Sequence, residues 1–219
     1  MPLPMVHLSV AVALSEKEGG FPSADFLLGS IAPDAIHMRP DSSRRDKEHV
    51  HLIDLGVSPH ELLQLFRSEY GLDDSQGCGF SGGYLTHLLT DRLWWQTIIT
   101  PFRQKFPSTF PENEFRSLYY RDTDRIDLDL YRQEAWRPQA WSSLEAVAAA
   151  DFSPFLTATE ILQWRDRTLR WYDDPVHDCA AEPVYISLSA TQAFIGRAGL
   201  EIAELYSGFS SYPKIADFS

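Results

Sequence analysis

The sequence predicts an all-α fold, with several helices in a single domain spanning residues 1–219. Three observations indicate this class. Of the 219 residues, 44% are hydrophobic and 13% aromatic, which is enough for one sizeable core. Helix-start signals recur, and Ser58-Pro59-His60-Glu61 is the clearest, with a capping serine, a proline at N1 and a glutamate at N3. Strand signals are few, and Val184-Tyr185-Ile186 is the best of them.

The first part of the chain predicts two helices followed by an irregular segment. Residues 5–14 are rich in alanine, valine and leucine and favour a helix, although their apolar residues also alternate, so periodicity does not exclude a strand. Ser23 is the expected N-cap of a short helix that Gly29 ends. Residues 30–47 contain two prolines and a polar run, which favours irregular structure.

In the middle of the chain, the helix that starts at Ser58 is followed by a glycine-rich connection, residues 77–83. This connection matches both the GxGxxG and the GxSxG patterns, but the strand that dinucleotide binding or a nucleophile elbow requires does not precede it. Ser81 as the nucleophile of a serine esterase is therefore a minor hypothesis. The connection leads into a helix that contains His87 and ends before Pro101.

Cap residues and apolar spacing predict four more helices in the second half of the chain. They are residues 111–132; 144–150, capped by Ser142 or Ser143; 160–172, capped by Thr157 or Thr159; and 187–206. The acidic run 122–129 superficially suggests calcium binding, but Asp127 stands where an EF-hand loop needs glycine. A solvated helix face with arginine-paired carboxylates is the expected structure of this run.

Composition excludes several classes of function. The net charge of −12 disfavours non-specific binding to nucleic acid or to an anionic membrane surface. Two cysteines, Cys78 and Cys179, match no zinc-ribbon spacing and make no disulfide scaffold. The sequence shows no signal peptide and no apolar run of about 20 residues, so we expect a cytoplasmic protein without a transmembrane segment. Oligomeric state has no signature in the sequence.

The most informative motif is His87-Leu88-Leu89-Thr90-Asp91. On a helix His87 and Asp91 lie one turn apart on one face, their Cβ atoms about 5–6 Å apart. The flanking residues are almost all apolar, and burying an imidazole and a carboxylate is costly unless something satisfies them. A shared divalent metal ion would do so, and a simple His–Asp hydrogen bond or ion pair is the alternative.

Further histidines and one aspartate lie in the first part of the chain. His7 sits within an apolar segment, and Asp34 lies among small apolar residues in Gly29-Ser30-Ile31-Ala32-Pro33-Asp34. His49 and His51 alternate, so both rings face one side of an extended segment, whereas on a helix only one of them can reach a given metal. The sequence leaves this choice open.

Taken in order, these blocks resemble the zinc-dependent phospholipase C family, which is related to the zinc-dependent single-strand nucleases. The resemblance covers about residues 1–100 and implies an all-α fold around up to three zinc ions. By motif position it implies that His7 binds one zinc and that Asp91 bridges to a second, with Asp34 also a candidate general base. The remaining ligands of the second zinc would be Asp34, His51 (or His49) and His87. His37 has no assigned counterpart and would be an outer contact, a substrate contact or an extra ligand.

The chain also departs from the family pattern. Residues 96–101 lack the histidine expected soon after the HxxxD helix, and no HxxxE pair follows. We therefore expect one or two Zn²⁺ ions rather than three. The predicted function is a zinc-dependent phosphohydrolase, acting on a small-molecule or lipid head-group phosphoester by activating water and having no specific nucleic-acid partner. A metal-binding protein without turnover, with a structural or partner-binding role, is the alternative.

Overall fold

The computed structural model describes residues 3–17, 19–53, 55–70, 72, 79–175 and 182–210. Cys78, His177 and Cys179 lie outside these ranges. Within them the chain forms helices and no β-strand, apart from an isolated bridge between Phe152 and Leu156, which confirms the all-α prediction. None of the described helices is both long and apolar enough to cross a membrane.

The described α-helices follow one another along the chain with short connections. They are α1 (Pro4–Lys17), α2 (Ala24–Ile31), α3 (Arg44–Val50), α4 (Pro59–Glu69), α5 (Phe80–Trp94), α6 (Thr100–Arg103), α7 (Glu112–Gln133), α8 (Arg137–Ala146), α9 (Ala158–Trp171) and α10 (Leu188–Ser210). A 3₁₀-helix, Ala32–Met38, follows α2, and a π-helical turn, Trp95–Ile99, joins α5 to α6.

Helix α1 is buried on all its faces. Every residue from Met5 to Val12 is buried, and α2, α5, α7 and α10 all pack against the helix. A helix surrounded in this way has no polar stripe, because no face meets water. This explains why the apolar pattern of residues 5–14 could not separate a helix from a strand.

Helices α2 and α5 cross in direct backbone contact at two glycines. A Cβ atom on Gly29 would lie 2.1 Å from the carbonyl oxygen of Phe80, and one on Gly83 would lie 2.0 Å from that of Phe26. Real Cβ atoms do not come so close to a carbonyl, so only glycine fits at either position. The crossing brings the carbonyl of Ser30 to the buried face of α5.

Several predicted helix starts are confirmed by their caps. The hydroxyl of Ser23 accepts from the backbone N–H of Phe26 at the start of α2. Ser58 and Thr157 each form a capping box, at the starts of α4 and α9. These side chains satisfy backbone donors that the first turn of a helix leaves without partners.

Some other predicted boundaries were wrong. Gly29 does not end α2, because it is needed inside the helix for the crossing with α5. The helix that contains His87, α5, ends at Trp94 and so before Pro101 as predicted, but a π-helical turn and α6 follow it directly, and the first turn of α6 tolerates a residue without an N–H. Residues 142 and 143 lie inside α8 rather than capping a helix over 144–150.

Two segments have a different structure from the one expected. Residues 30–47 are largely helical, because Pro33 opens the 3₁₀-helix and Ser43 forms a capping box that starts α3. Residues 184–186 form a bend rather than a strand. The carboxylate of Asp122 holds this bend by accepting the backbone N–H groups of Tyr185 and Ile186, at 2.6 and 3.0 Å.

The acidic run 122–129 is only partly a solvated face. Arg125 pairs with Asp129 as expected, at 3.0 Å. Asp122 and Asp127, however, are buried, with exposed fractions of 0% and 1%. Their carboxylates accept backbone N–H groups of other segments, so they join α7 to the rest of the core instead of facing water.

Candidate metal centre

Five side chains predicted as metal ligands lie together in the interior, and we refer to them as the His/Asp cluster. They are His7, Asp34, His51, His87 and Asp91. His7 comes from α1, Asp34 from the 3₁₀-helix and His51 from the C-terminal end of α3, and α5 supplies His87 and Asp91. Segments distant in sequence therefore converge on one point, as the metal hypothesis requires.

The orientation of His87 is fixed by a backbone carbonyl. Its Nδ1 lies 2.8 Å from the carbonyl oxygen of Ser30, which can only accept, so Nδ1 carries the proton and donates. Nε2 is then the nitrogen with a lone pair, and it faces the cluster. Metal-binding histidines are commonly held in this way, with the second ring nitrogen donating to a carbonyl. Sequence reasoning missed Ser30, because a carbonyl partner leaves no mark on residue type.

His51 is held in the same manner and settles the choice left open with His49. It is the C-cap residue of α3, and its Nδ1 donates to the carbonyl oxygen of Lys47 at 3.0 Å. Nε2 again faces the cluster. His49 is exposed, and its ring lies 5.2 Å from that of Phe155. The two rings diverge because the segment is helical, so only His51 reaches the cluster.

The distances between imidazoles and carboxylates in the cluster are longer than hydrogen bonds. His51 Nε2 lies 3.6 Å from Asp34 Oδ1 and 3.8 Å from Asp91 Oδ2. His87 Nε2 lies 3.6 Å from Asp91 Oδ2. Typical N–H···O hydrogen bonds are about 2.7–3.2 Å long, and a separation of about 3.6 Å is beyond the limit. Two ligands of one tetrahedral zinc ion at about 2.0–2.1 Å are about 3.3–3.4 Å apart, so the spacing suits ligands that share a cation.

Four atoms of the cluster are buried and accept or donate no hydrogen bond among the described residues. They are Asp34 Oδ1, His51 Nε2, His87 Nε2 and Asp91 Oδ1. Leaving such a group unsatisfied costs about 1–3 kcal/mol each. Acceptors that converge without a donor are satisfied by a cation, so this donor set fits a divalent metal.

The rings of His7 and His87 are stacked, with centroids 3.7 Å apart and planes within 7° of parallel. A metal lies close to the plane of the imidazole that binds it, and parallel planes do not meet. Distance alone would allow His7, Asp34 and His87 to share one ion, but the parallel rings of His7 and His87 cannot both direct a lone pair at the same ion. The carboxylate of Asp91 spans the two, with Oδ1 3.6 Å from His7 Nε2 and Oδ2 3.6 Å from His87 Nε2.

The two carboxylates of the cluster have different acidities. Burial alone would raise the pKa of Asp34, but His51, His87 and His37 outweigh it and lower the pKa to about 2. Burial raises the pKa of Asp91 to about 6, with His51 opposing the rise and the charge of Asp34 adding to it. The carboxyl group of Asp34 is thus ionised at neutral pH.

The histidines differ in the same way. Burial, with the neighbouring His7, lowers the pKa of His87 well below its ordinary value, so this ring is neutral and able to bind a cation. Burial also acts to lower the pKa of His51, but Asp34 and Asp91 raise it above the ordinary value. His87 Nε2 and Asp91 Oδ2 lie 3.6 Å apart, which is longer than a hydrogen bond.

Two further predicted residues lie at the edge or outside. His37 sits at the rim, its Nε2 4.0 Å from Asp34 Oδ1 and its side chain 34% exposed, close to the ring of Trp164. The hydroxyl of Ser81 donates to the carbonyl oxygen of Tyr70 at 2.7 Å. That is a structural hydrogen bond and not the pairing with a base that an esterase nucleophile needs.

A cleft of about 1000 Å³ opens beside the cluster, and His51 and Asp91 form part of its wall. The lining carries charges of both signs: Arg44, Lys47 and Arg92 are basic, Glu48, Glu61 and Glu201 are acidic, and Arg44 pairs with Glu48 at 2.7 Å. Arg92 is held in place by donating to the carbonyl oxygen of Val57 at 2.6 Å. Much of the remaining wall is apolar and includes Ile53, Leu89, Leu93, Trp95, Ile99 and Ile202. His51 and Asp91 of the cluster thus border an open cleft whose wall is largely apolar.

Comparisons of the chain with protein-family models, with curated proteins and with solved structures found no match.

Proposed function

We propose that this protein is a metal-dependent phosphoester hydrolase that uses two divalent ions, zinc being the first choice, in a centre of phospholipase C type. The observation that carries the proposal is that ring nitrogens and carboxylate oxygens of the His/Asp cluster lie 3.6–3.8 Å apart beside an open cleft, and that Asp34 Oδ1, His51 Nε2, His87 Nε2 and Asp91 Oδ1 are buried without a hydrogen bond to any described residue. The resemblance of residues 1–100 to the zinc-dependent phospholipase C family supports the same function.

The cluster divides into two ligand groups. His7 and Asp91 Oδ1 would hold one ion, while His51, His87, Asp34 and Asp91 Oδ2 would hold the other. Asp91 would be shared between the two groups, because its Oδ1 lies 3.6 Å from His7 Nε2 and its Oδ2 lies 3.6 Å from His87 Nε2. Paired ions at about 3.5–4 Å are the arrangement that acts on phosphoesters.

Bound ions of this kind supply Lewis-acid polarisation of a phosphoryl oxygen and activation of a water molecule. The chain's own residues attract and orient the substrate and accept a proton. Arg92 and Lys47 in the cleft wall attract and orient an anionic phosphoester, and the fixed position of Arg92 reduces the entropy lost on binding. Asp34 acts as a ligand or takes a proton from water, and the apolar wall around Trp95 receives the non-polar part of a substrate.

A metal-binding protein without turnover remains the second candidate, because residues 96–101, which follow the cluster on α5, form a π-helical turn and part of α6 and contribute no further histidine. The decisive assay uses zinc-loaded protein with bis-p-nitrophenyl phosphate, p-nitrophenyl phosphate and p-nitrophenyl phosphorylcholine as probes. We expect hydrolysis of a diester that a chelator abolishes and Zn²⁺ restores.

Full metal occupancy with no turnover of any of the three probes would overturn the hydrolase and leave the metal-binding role. Turnover that persists in a chelator and disappears in a Ser81→Ala variant would favour the serine esterase instead. A chain that retains no divalent metal after purification in its presence would contradict both metal-based functions.

A further inference from the structure

A second acidic group, outside the His/Asp cluster, touches the helix that carries His7. Asp127, on α7, has an exposed fraction of 1%. Its Oδ1 accepts the backbone N–H of Met5 at 3.0 Å, across 122 residues of chain. Met5 is the first residue of α1 with an N–H, because Pro4 has none. Asp127 is therefore the N-terminal cap of α1, supplied by another helix.

The first turn of α1 depends on this cap. Its internal bonds start from the carbonyl oxygen of Leu3, at 3.0 Å to the N–H of Val6 and at 3.5 Å to that of His7. The second distance is at the limit of a hydrogen bond. The N–H groups of a first turn have no partner within the helix, and a carboxylate beside them also interacts favourably with the helix dipole. His7 lies within this turn.

Asp127 is itself fixed. The hydroxyl of Tyr172, at the end of α9, donates to its Oδ2 at 2.5 Å, and the ring of Tyr172 stacks on that of Tyr131 with centroids 4.3 Å apart. The carboxylate thus joins α7, α9 and α1 at one point. A fully hydrogen-bonded buried group of this kind fixes the elements that it connects.

We propose that Asp127 is a positioning residue for the metal centre: by capping the first turn of α1 it holds the His7 imidazole against His87 and Asp91, and so determines binding of the ion on the His7 side. This inference rests on the proposed two-ion centre. Its consequence is selective, because the ligands of the other ion come from the 3₁₀-helix, α3 and α5 and not from α1.

Asp122 offers a matched control. It lies on the same helix, is buried to the same degree and also accepts backbone N–H groups, but those of Tyr185 and Ile186 rather than of α1. Substituting either aspartate by alanine removes a buried carboxylate that anchors a distant segment. A general loss of structure would therefore affect both variants, and a positioning role would affect only one.

The experiment is a titration of the full chain with Co²⁺, followed by its visible absorption, together with elemental analysis of the zinc-loaded protein. Wild type and Asp122→Ala should bind two ions. Asp127→Ala should keep one ion at wild-type affinity and bind the other at least about tenfold more weakly, the scale of an outer-sphere defect. Asp127→Asn, which keeps an acceptor for the Met5 N–H, should restore two-ion binding to within a few-fold of wild type.

If Asp127→Ala fails to fold, Tyr172→Phe removes only the hydroxyl that fixes Asp127 and should weaken the same ion to a smaller extent. Equal affinities for both ions in all variants would overturn the proposal, as would equal weakening by Asp127→Ala and Asp122→Ala. A wild-type chain that binds fewer than two ions would overturn the two-ion centre itself, and this outcome is recognisable because the defect is then present before any substitution.

Discussion

Two groups of buried carboxylates in this protein resolve the cost of burial in different ways. On α7, Asp122 and Asp127 accept backbone N–H groups and a tyrosine hydroxyl. In the His/Asp cluster, Asp34 Oδ1 and Asp91 Oδ1 accept no hydrogen bond from the part of the chain that the structure describes, and they face ring nitrogens of His51 and His7 at 3.6 Å. The first group is satisfied by hydrogen bonds within the protein, whereas under the proposed function a cation would satisfy the second.

The difference shows that burial of an acid is not by itself a sign of a metal site. Asp34, Asp122 and Asp127 are all buried, and the side chain of Asp91 is 14% exposed. What separates the two groups is the supply of donors, because Asp122 and Asp127 already accept hydrogen bonds from N–H and O–H groups, whereas Asp34 and Asp91 face imidazole nitrogens at distances longer than a hydrogen bond.

Replacing one carboxylate from each group should impair a different property: metal binding and hydrolysis in one case, and stability in the other. Asp91→Ala removes the bridge of the proposed centre, and we expect more than a 100-fold loss of metal affinity and of hydrolysis, since loss of an outer-sphere partner alone costs 10–100-fold. Asp122→Ala should lower the free energy of unfolding by about 3 kcal/mol or more while leaving activity per folded molecule unchanged. Metal analysis, chemical denaturation and the diester assay on both variants measure this contrast. Equal losses of activity would mean that the two groups do not differ in function.

The histidines at the end of α3 provide a second pair. His51→Ala should weaken binding of the shared ion by about 100-fold, because it removes one of four side chains around that ion. His49→Ala, two residues away and exposed, should bind metal as wild type does. Isothermal titration with Zn²⁺ gives both affinities. A larger loss of zinc affinity in His49→Ala than in His51→Ala would contradict the observed orientation, in which His51 and not His49 faces the cluster.

The crossing of α2 and α5 should affect the His/Asp cluster, because it positions the Ser30 carbonyl that accepts from His87. Gly83→Ala would place a Cβ 2.0 Å from the carbonyl oxygen of Phe26, so we expect about 3 kcal/mol of destabilisation or more, together with weaker metal binding as the Ser30 carbonyl moves away from His87. Gly196→Ala on α10, where a Cβ meets nothing within 4 Å, should instead stabilise the protein by about 0.5–1 kcal/mol.

Urea denaturation and metal titration of the two glycine variants test this expectation. If Gly83→Ala unfolds like wild type, the close contact between α2 and α5 does not exist in solution.

Asp127, although it is hydrogen-bonded, should make the stability of the protein depend on pH. Burial raises the pKa of Asp127 to about 7, although Tyr172 and the Met5 N–H oppose the rise. An unfolded aspartate has a pKa of about 3.9, so between about pH 4 and pH 7 the folded state holds one proton more. The contribution of Asp127 to stability is therefore greatest below pH 4 and declines as the pH rises to 7.

This decline should amount to at most about 1.4 kcal/mol per pH unit relative to Asp127→Asn, which cannot titrate. Urea denaturation of both proteins from pH 4 to pH 8 measures the difference. Parallel stability profiles would show that Asp127 ionises normally and that its hydrogen bonds outweigh burial.

The sequence was sufficient for the fold class and for part of the site. His87 and Asp91 are one helical turn apart whatever the tertiary structure, so their proximity followed from spacing alone. The Ser58 cap acts locally and was predicted for the same reason, whereas the sequence left Thr157 and Thr159 open as the cap of α9. Elements whose structure depends on distant partners were not predictable. Gly29 looked like a helix stop because its role in the crossing with α5 has no local signal.

The rest of the site depends on where α3 ends and on backbone carbonyls. His51 rather than His49 reaches the cluster because α3 ends at Val50 and turns the next ring inward. The Lys47 carbonyl that orients this ring is a main-chain group, which any residue at that position would supply. Asp127 was interpreted as solvated because only the tertiary structure brings the N-terminus of α1 to it.

The central claim is that the unsatisfied atoms of the His/Asp cluster are ligands of paired metal ions. Anomalous X-ray scattering at the zinc absorption edge from crystals of the zinc-loaded protein tests it most directly. We expect two peaks about 3.5–4 Å apart, one beside His7 and Asp91 and the other among Asp34, His51 and His87. Zinc bound only at other places on the molecule, with these five side chains free of metal, would contradict the account.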